Sequence, residues 1–480
     1  MKINIPELTQ FIPVLMSTLS ETTSKTNRGE ASTKDISKKE IYLVGGAIRD
    51  SIVNSEQSIV NSKKTTNKQT IPTIKDFDFA LNGSAISFAK RFAKKINGSF
   101  VILDKDIDEV RVVYKNGHNE LIFDFCGITS INTDLLRRDF TINAISAKLP
   151  DMEVLDIFNS VKDIHQKTIR IISEQNIKDD PLRILRAFRL KSTMDFNISP
   201  KTTPILIKHR KLLKNIAGER IKQELFSILN SQKAYETLRF MAKKEILQVI
   251  IPELKKLTTT PQYKPTGNLL DHSLLTIKKI DIATHDFQKY AFNKIHILKF
   301  AGLLHDIGKP YCYSKDKLNR VHFYGHERKG VRLLEGIRER LKLSNSDFRS
   351  LSNLIEFHMR PHLLGEEKMP TNKAILRFIR DGGGDSILIL LLAYADAMAS
   401  GNRGRAGLLR LIDRSIEIWE RMQQPKFKRL LTGNDLIRMG YKPGPLFKKI
   451  LQTIEEEQIG NELSTRKQAI DFVRKNWRQK

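Results

Sequence analysis

Two short segments contain residues whose types and spacing suit metal and phosphate chemistry. LVGGAIRD holds Gly45, Gly46 and Arg49, and KDFDFAL holds Asp76 and Asp78. Side chains at i and i+2 of a strand project from one face, so both carboxylates can hold the same divalent cations. Mg²⁺ prefers oxygen ligands and suits nucleotidyl transfer, and glycines let backbone N–H groups close on a triphosphate. The alternative is an ordinary Gly-Gly loop and a solvated pair of aspartates.

The next two segments extend this set. Asp124, in LIFDFCG, stands between bulky apolar residues on a predicted strand and is a candidate third carboxylate facing the first two. The alternative is a hydrogen-bonded aspartate at a strand edge. In DLLRRDFTINAIS, Arg137, Arg138 and Asp139 precede Asn143. These residues would place cations and an amide beside a triphosphate or sugar, although a basic helix start has the same composition.

The segment DDPLRILRAFRL places Asp180 and Arg183 at i and i+3, which predicts that they are neighbours on one helical face. An aspartate offers hydrogen-bond acceptors and an arginine a fork of donors. The pair can therefore match the Watson–Crick edge of a nucleobase, as a template strand does. As an isolated motif, the same spacing is more often an ordinary helix salt bridge.

A second constellation lies further along the chain, on segments with helical periodicity. Imidazole nitrogens combined with carboxylates suit Mn²⁺, Ni²⁺, Co²⁺ or Fe²⁺ better than a structural zinc. One such histidine on a helix is usually structural, but six matching positions in order predict a metal site. The first metal position would use His272, the pair His305 and Asp306, and Asp396, and a second would be completed by His326 and His358, with His362 nearby. Lys309 follows the His-Asp pair and is placed to hold a phosphate.

The composition limits the class of protein. The 480 residues are 40% hydrophobic and 28% charged, as in soluble globular proteins, and are too many for one core. A net charge of +28 favours polyanions such as nucleic acid; a membrane surface or a generally basic proteome is the alternative. Two distant cysteines, Cys126 and Cys312, offer no disulfide framework and fit a reducing cytoplasm. No stretch reaches the roughly 18 apolar residues of a membrane span, so we expect neither export nor insertion.

Periodicity divides the chain into a β-rich first part and a helical remainder. Residues 1–20 have the pattern of a short amphipathic segment, and residues 21–40 that of a polar linker. From Ile41 to about Leu155, short β-rich runs alternate with helical patterns, which predicts a mixed α/β module. The polar insert 54–73 lacks periodicity, so we expect a surface loop. Beyond Ile157 helical periods dominate, and we expect only helices.

The order of these motifs resembles the class II tRNA nucleotidyltransferase and bacterial poly(A) polymerase family. The resemblance rests on LVGGAIRD, DFDFAL, RRDFTINAI, DDPLRILRAFR and GERIKQEL, and RLLTGNDLIRMGYKPGP with QIGNELSTRKQAIDFV extends it to the end of the chain. It implies an α+β protein with an N-terminal α/β nucleotidyltransferase head (DNA polymerase β-like), followed by an all-helical neck, HD domain and tail. The implied segments are 1–40 (N-terminal segment and linker), 41–157 (head), 158–260 (neck), 261–405 (HD domain) and 406–480 (RNA-binding tail).

The resemblance also implies roles for individual residues. Asp76 and Asp78 would be the metal-binding catalytic pair, and Asp180 and Arg183 the protein template that selects CTP or ATP. The other nucleotide-binding residues would be Gly45, Gly46 and Arg49 at the triphosphate, Arg138, Asp139 and Asn143 at the phosphates and sugar, and Arg186 and Arg189 one and two turns beyond Arg183.

Three features depart from the family's pattern. Asp179 stands where the family commonly has Glu, which leaves the pairing residues intact. The insert before Asp76 is longer than usual, which concerns mainly the length of that loop. Lys448 stands where relatives often carry Gly, which bears on tail packing or RNA contact more than on chemistry.

The stretch around His305 and Asp306 resembles the HD phosphohydrolase superfamily, whose members hydrolyse phosphoesters with a metal-activated water. The leading interpretation is an enzyme that completes or repairs the 3′ CCA of tRNA from CTP and ATP. Mg²⁺ would serve the head and a transition metal the HD domain. Variants that add only CC, only A or poly(A) share every motif. Two interpretations come from other classes: an HD phosphohydrolase whose head merely binds RNA, and an inactive RNA-binding scaffold. The presence of both Asp76 and Asp78 argues against the first, and the complete carboxylate and HD sets argue against the second.

Overall fold

The computed structural model describes residues 1–24, 40–62, 73–117, 119–260, 267–366, 370–401, 404–423, 429–459 and 462–477. They form two compact units, Met1–Leu213 and Lys214–Lys480. The boundary falls inside the predicted neck, so the first part of that region belongs to the same unit as the head. The finer segment boundaries stay predictions, and most of the polar linker 21–40 lies outside the described residues.

A mixed seven-stranded sheet forms the centre of the first unit, which confirms the predicted α/β head. Its strands are β1 (Ile41–Val44), β2 (Asp76–Asn82), β3 (Ser99–Asp104), β4 (Glu109–Asn116), β5 (Asn119–Ile128), β6 (Ser146–Lys148) and β7 (Glu153–Leu155). They lie in the order β3-β4-β5-β2-β1-β6-β7. The central pair β2 and β5 is parallel, whereas the other neighbours are antiparallel.

Side chains alternate between the two faces of the central strands, so apolar residues lie on one face and acidic residues on the other. Phe77 and Phe79 of β2 are buried, whereas Asp76 and Asp78 face the other side. The helices of this unit are α1 (Pro6–Thr9), α2 (Ile12–Ser24), α3 (Gly46–Ser62), α4 (Ala85–Ile96), α5 (Ile131–Leu136), α6 (Ser160–His165), α7 (Glu174–Asp179), α8 (Arg183–Met194) and α9 (Thr202–His209). Helix α4 is capped by Ser84 and buries a stripe at helical spacing that packs on the phenylalanine face of the sheet.

The N-terminal segment is part of the first unit. Helix α2 packs against α4, and the ring of Phe11 lies 5.0 Å from that of Phe123 and 5.2 Å from that of Tyr114. Lys2 forms an isolated β-bridge with Glu153 of β7. Helix α2 therefore covers part of the apolar face of the sheet, and Glu7 accepts a hydrogen bond from the N–H of Ile74, two residues before Asp76.

Two expectations about local structure are wrong in part. The insert 54–73 was expected to be a loop, but α3 continues through Ser62; residues 63–72 lie outside the described part. Buried Ile48 and Ile52 anchor this helix, and a helix that has started propagates easily through polar residues. Beyond Ile157 the described residues include four two-residue strands besides helices, namely β8 (Thr168–Ile169), β9 (Asn197–Ile198), β10 (Ser314–Lys315) and β11 (Val321–His322). Such strands are too short to produce a period of two.

The second unit is built from helices, as expected for most of its length. They are α10 (Gly218–Asn230), α11 (Ala234–Lys243), α12 (Leu247–Ile250), α13 (Leu254–Thr259), α14 (Leu269–Ala283), α15 (Gln288–Ala291), α16 (Ile295–Leu304), α17 (His326–Leu341), α18 (Asn345–Phe357), α19 (Arg360–Glu366), α20 (Asn372–Gly382), α21 (Ser386–Ala399), α22 (Arg405–Gln423), α23 (Gly433–Arg438), α24 (Pro445–Ile459) and α25 (Arg466–Asn476). Helices α14 and α21 pack together in the core, and α14 also packs on α16.

The expectation that no stretch is apolar enough to span a membrane is wrong for Asn372–Ala399. This stretch is long and apolar enough to cross a membrane, yet 83% of its most apolar window is buried inside the structure. Helix α21 is buried on nearly all sides, because it lies between α14 and α22. This burial is the property of a core helix.

The last three helices form a separate apolar cluster around Leu436, Ile450 and Val473. Tyr441 donates a hydrogen bond to the carbonyl of Trp477 over 2.5 Å and closes the cluster.

Candidate active site and metal centre

The acidic floor of the first site consists of Asp76 and Asp78 on β2 and Asp124 on β5. The parallel register places Asp78 directly beside Asp124, and alternation turns all three carboxylates away from the phenylalanine core. Asp78 stays open to the cleft, yet the protein around it raises its pKa to about 6. Burial is the main cause, Arg138 opposes it, and the charges of Asp124 and Asp76 add to it. A divalent cation would relieve this repulsion, so the oxygen donors fit Mg²⁺.

Asp124 is held by an arginine that the sequence analysis missed. Arg111 of β4 donates two parallel hydrogen bonds of 2.8 Å to its two carboxylate oxygens. The antiparallel register of β4 and β5 pairs these two residues directly. The signal in the sequence was Gly117, which follows the last paired residue of β4, Asn116, and has a φ of +60°. The role of Asp124 as a third catalytic carboxylate stays a prediction, and any metal would share it with Arg111.

The Gly-Gly segment forms the turn between β1 and α3. Gly45 has a φ of +77°, and a Cβ built on it would lie 2.7 Å from Nη1 of Arg138 and 3.7 Å from Oδ2 of Asp78. A side chain at this position would therefore both strain the backbone and displace an arginine. Gly46 is the first residue of α3, so the N-terminal N–H groups of this helix open beside the carboxylates.

A hydrogen-bonded network connects the basic residues around the floor. Arg49 donates to the amide oxygen of Asn143, and the Asn143 amide donates to buried Asp139 over 2.9 Å. The second Asp139 oxygen lies 3.0 Å from Nε of Arg186. The side chains of Asp139 and Asn143 thus position two arginines, in addition to any contact with a sugar.

Arg138 is positioned by Asp134, a second residue that the sequence analysis missed. Asp134 is buried on α5, and its carboxylate lies 2.7 Å from Arg137 and 3.0 Å from Arg138. In the sequence, the i, i+3 and i, i+4 spacing in DLLRR indicates that the aspartate can pair with both arginines. Asn176 of α7 adds support, because its amide donates to the carbonyls of Leu136 and Arg138.

The structure corrects the predicted arrangement of Asp180 and Arg183 on one helical face. Asp180 is extended, with φ −136° and ψ 92°, and caps the end of α7, whereas Arg183 is the first residue of α8. Arg183 donates to the carbonyl of Asn176 over 2.9 Å and to that of Arg137 over 2.7 Å. The two residues are still neighbours, since the Arg183 N–H donates to the Asp180 carbonyl over 3.1 Å. Their role as a template stays a prediction.

Most of the predicted residues line one open cleft of about 1210 Å³ in the first unit, whereas Gly45, Asp124 and Asp180 are not among its lining residues. Its floor carries Asp76 and Asp78, and its walls carry Gly46, Arg49, Arg137, Arg138, Asp139, Asn143, Arg183, Arg186 and Arg189. Carboxylates at the floor attract divalent cations, and arginines at the walls attract phosphate oxygens. The cleft can therefore hold a polyphosphate chain together with its metal ions.

The second site lies in the second unit, where five helices meet. Two groups of possible ligands share one aspartate: His272, His305 and Asp306 form the first, and Asp306, His326 and His358 the second. Nε2 of His305 lies 3.3 Å from one oxygen of Asp306, and Nε2 of His326 lies 3.5 Å from the other. The structure thus brings five of the six predicted residues together as two adjacent triads.

The sixth predicted residue, Asp396 of α21, joins the first triad. Its oxygen Oδ1 lies 2.9 Å from Nε2 of His272 and 3.8 Å from Nε2 of His305. The other oxygen lies 3.1 Å from Nε2 of His362. The neighbouring histidines lower the pKa of Asp396 well below its usual value, although burial opposes this.

Backbone carbonyls orient the imidazole rings. Nδ1 of His305, His326 and His358 lies 2.9, 2.9 and 2.7 Å from the carbonyls of Gly302, Phe323 and Ile355, respectively. This turns each Nε2 towards Asp306, as in metal sites where the second ring nitrogen is anchored.

The donor set fits a transition metal. Burial holds the pKa of His358 well below its usual value, which keeps the ring neutral and able to bind a metal. Oδ1 of Asp306 is buried and has no hydrogen-bond partner among the residues that the structure describes. The identity of the ion stays a prediction.

Lys309 lies at the edge of this centre, and its role in holding a phosphate stays a prediction. Its Nζ is 2.7 Å from Asp306 Oδ2, and the side chain is largely buried. Burial opposes the charge on this amine, but Asp306 raises the pKa of Lys309 above its usual value. Gly308 allows the approach of α17, because a Cβ there would lie 2.1 Å from the carbonyl of His326.

The fold and the two sites define a nucleotidyltransferase head joined to an HD domain. Family models agree with this class along most of the chain. Matches are found to four family models: 'Poly A polymerase head domain' at residues 106–170, 'Probable RNA and SrmB-binding site of polymerase A' at 195–257, 'HD domain' at 269–399 and 'tRNA nucleotidyltransferase domain 2 putative' at 402–473.

Three curated relatives indicate which family of nucleotidyltransferases the chain resembles. The chain is 28% identical to the A-adding tRNA nucleotidyltransferase of Deinococcus radiodurans, over 90% of this chain and 94% of that protein. It is 26% identical to the CC-adding tRNA nucleotidyltransferase of Synechocystis, over 90% and 92%. It is 31% identical to the Multifunctional CCA protein of Actinobacillus pleuropneumoniae, over 69% and 78%. The chain therefore belongs to the tRNA nucleotidyltransferase family.

A solved structure shares the fold. The Thermotoga maritima CCA-adding enzyme complexed with tRNA matches with a TM-score of 0.66 at 20% identity, over 98% of this chain and 96% of that one. This confirms the predicted class of an α/β nucleotidyltransferase head followed by a helical body with an HD domain.

Proposed function

We propose that the protein completes or repairs the 3′-terminal CCA of tRNA, using CTP and ATP and releasing pyrophosphate. One observation carries this proposal: Asp76 and Asp78 form an acidic floor beneath arginine walls in a single cleft of about 1210 Å³. A nucleoside triphosphate with its metal ions has the complementary charge pattern. In the reaction, the 3′ oxygen of the RNA bonds to the α-phosphorus and the bond to the β-phosphate bridge breaks. The proton of the 3′ hydroxyl is lost to solvent.

The residues of the cleft have separate tasks in this proposal. Asp76 and Asp78 hold Mg²⁺, which when bound would lower the pKa of the attacking hydroxyl and neutralise the departing pyrophosphate. The N–H groups at the start of α3 and the guanidinium of Arg138 receive the phosphates. Asn143 keeps Arg49 in place through the hydrogen bond between their side chains.

Asp180 and Arg183 select the base in this proposal. Two guanidinium N–H groups of Arg183 are engaged by the carbonyls of Asn176 and Arg137, which fixes the plane of the fork. The remaining N–H groups, with the acceptors of Asp180, would face a base edge. The net charge of +28 supports tRNA as the partner, held mainly through its backbone. Two free cysteines suit a cytoplasmic location.

The experiment that tests this function uses three tRNA transcripts, which end before the first C, after C and after CC. Each is incubated with CTP, ATP or both, and the products are resolved on a sequencing gel. We expect extension of all three to CCA and no further. Addition of CC alone, A alone or a long A tail would replace the proposal with that variant. Two relatives with 90% coverage of this chain carry the names A-adding and CC-adding, so this comparison is needed. If no transcript is extended, the proposed function is overturned.

A second candidate function is phosphoester hydrolysis in the HD domain. The observation that favours it is the pair of buried triads that share Asp306, with Lys309 at their edge. A transition metal bound there would lower the pKa of a water molecule. That water oxygen would bond to phosphorus, the ester bond would break, and the leaving oxygen would take up a proton. Lys309 would hold the phosphate.

This second function is tested by assaying the purified protein with Ni²⁺, Co²⁺ or Mn²⁺ on a panel of phosphomonoesters and phosphodiesters. We expect metal-dependent release of product that is lost in His305→Ala with Asp306→Ala. Absence of hydrolysis with all three metals would assign this domain a structural or regulatory role.

A further inference from the structure

Asn176 of α7 is buried, and both ends of its side-chain amide are engaged. The amide nitrogen donates to the carbonyls of Leu136 over 2.9 Å and of Arg138 over 2.6 Å. The amide oxygen accepts a hydrogen bond of 2.8 Å from the hydroxyl of Ser173. Only the NH₂ group can donate to two carbonyls, so these partners fix the orientation of the amide.

The backbone of the same residue holds both predicted base-reading residues. The carbonyl of Asn176 accepts a hydrogen bond of 2.9 Å from Nη1 of Arg183 and one of 3.2 Å from the N–H of Asp180. Nη2 of Arg183 donates to the carbonyl of Arg137 over 2.7 Å. The carbonyls of residues 136–138 therefore all accept hydrogen bonds from Asn176 or Arg183.

Arg138 extends this connection to the catalytic floor. Its positive charge opposes the rise in the pKa of Asp78 that burial causes. Its Nη1 lies so near to Gly45 that a Cβ on that glycine would come within 2.7 Å of it. Buried Asp134 lies 3.0 Å from the guanidinium, so this side chain has little freedom of its own. The position of the Arg138 backbone therefore decides where the guanidinium meets a phosphate.

We propose that Asn176 is a positioning residue that links recognition of the base to placement of the triphosphate. This inference rests on the proposed nucleotide addition and adds a specificity-determining residue to it. A matching base keeps Asp180 and Arg183 in the observed arrangement. The Asn176 amide then holds the backbone of Arg138 where its guanidinium meets the phosphates.

A mismatched base has the opposite effect in this proposal. It displaces Arg183, and Asn176 transmits the displacement to the backbone of Arg138. The α-phosphorus is then out of line with the attacking 3′ oxygen. A displacement of about 1 Å can cost about a hundredfold in rate.

The variant Asn176→Ala separates this role from a purely structural one. It keeps the main-chain carbonyl that holds Arg183, and removes only the two donors to the carbonyls of Leu136 and Arg138. The variant should therefore still bind matching nucleotides in preference to mismatched ones, but the bound base should no longer place the triphosphate. Loss of a merely structural contact would lower the turnover of all four nucleotides equally.

The kinetic test uses CTP, ATP, GTP and UTP with the three tRNA transcripts. In Asn176→Ala, the ratio of kcat for the matching nucleotide to kcat for the mismatched ones should fall about tenfold. The corresponding ratio of KM should stay within about twofold of the parent's. Asn176→Ser keeps one donor and should give an intermediate kcat ratio. An unchanged kcat ratio, or a KM ratio that changes as much as the kcat ratio, would overturn the proposal.

Gln175→Ala is the matched control. Gln175 precedes Asn176 on the same helix and also donates a side-chain hydrogen bond, to Asp179 over 2.7 Å, but on the exposed side. Its loss should leave both ratios as in the parent. Melting temperatures of all variants are measured beside the kinetics. If Asn176→Ala does not fold, Asn176→Ser and the double variant below are compared with the parent instead.

A double variant tests whether the two residues act through one connection. Arg183→Lys is combined with Asn176→Ser, and the kcat ratios are compared with those of the single variants. We expect the double variant to discriminate no worse in kcat than Arg183→Lys alone, because the connection is already broken. Additive losses would show that the residues act independently and would overturn the coupling.

A spectroscopic measurement distinguishes failure of this inference from failure of the proposed function. Phosphorus NMR spectra of bound nucleotides are recorded without tRNA, with Ca²⁺ in place of Mg²⁺. In the parent, the α-phosphorus of CTP and ATP should differ in chemical shift from that of GTP and UTP, and the difference should disappear in Asn176→Ala. If the parent extends no transcript, nucleotide addition fails, but these shifts still decide the coupling. Identical α-phosphorus shifts for all four nucleotides in the parent would overturn it.

Discussion

The two sites of this protein hold carboxylates in opposite environments. In the head, Asp76 and Asp78 face an open cleft, and the pKa of Asp78 is raised to about 6 by burial and neighbouring acids. In the HD domain, Asp306 is fully buried, and His305 and Lys309 hold its pKa well below the usual value despite that burial. One site repels its own negative charge, and the other neutralises it with the protein's own cations.

This difference indicates how each site uses metal ions. Bound cations would relieve the electrostatic repulsion among the carboxylates of the head cleft. The cleft is open, so cations can enter with each nucleotide and leave with pyrophosphate. The ligands of the HD centre are buried, and backbone carbonyls fix the rings of His305, His326 and His358. Buried and oriented ligands favour an ion that stays bound.

Removing one charge from the head floor should have the largest effect. Asp78→Asn, or Asp76→Asn, should lower nucleotide addition by at least about a hundredfold, since the remaining carboxylate cannot place the ions alone. The measurement is incorporation of labelled ATP into tRNA ending in CC. Asp106→Asn, at an exposed turn in the same unit, is the matched control. Comparable rates in either site variant and the parent would show that the floor does not carry the chemistry.

Removing the shared carboxylate of the HD centre should affect that centre and leave the head site unchanged. Asp306→Ala breaks both triads, so the transition metal retained through purification should fall to background by elemental analysis. Nucleotide addition should stay within about twofold of the parent. Asp413→Asn, on exposed α22 surface, serves as control. Unchanged metal content in Asp306→Ala would mean that the ion is held elsewhere.

A smaller effect is expected where a cation supports the cleft wall. Arg183→Lys keeps the charge but loses the fork that holds the carbonyls of Asn176 and Arg137. Discrimination among CTP, ATP, GTP and UTP should fall by about tenfold in kcat/KM, which is a greater change than that in the rate with the correct nucleotide. If the variant is active and its preference is the same as the parent's, another element reads the base.

The smallest effect concerns stability. Because the pKa of Asp78 is raised from 3.8 to about 6, the folded state binds a proton more readily than the unfolded state between those values. The parent without metal should therefore lose stability as pH rises through this window, whereas Asp78→Asn should not. At pH 8 the inactive variant should melt roughly 2 °C higher than the parent, and the difference should vanish near pH 4. A lower Tm for Asp78→Asn at pH 8 would contradict the repulsion at the floor.

The sequence predicted the parts of both sites that depend on local spacing. The alternation of DFDF separates Asp76 and Asp78 from the phenylalanine core, and the order of histidines and aspartates indicated residues that the structure brings together in the HD domain. Asp180 precedes Pro181, and a residue before a proline disfavours the helical conformation, so the sequence itself indicates that Asp180 lies outside a helix. The Asp124–Arg111 pair depends on strand register, which required the position of the hairpin turn. The extension of α3 into a polar insert depends on tertiary packing of Ile52, which no local pattern reveals.

The N-terminal helices have a practical consequence for anyone who shortens this chain. Phe11 lies against Phe123 and Tyr114, on the side of β5 that is opposite Asp124. A fragment that begins at Ile41 would expose this aromatic surface of a sheet to water, although it would keep every residue of the cleft. An exposed apolar surface of this kind promotes self-association. Fragments of the head should therefore precipitate unless residues 1–24 are retained or supplied as a separate peptide.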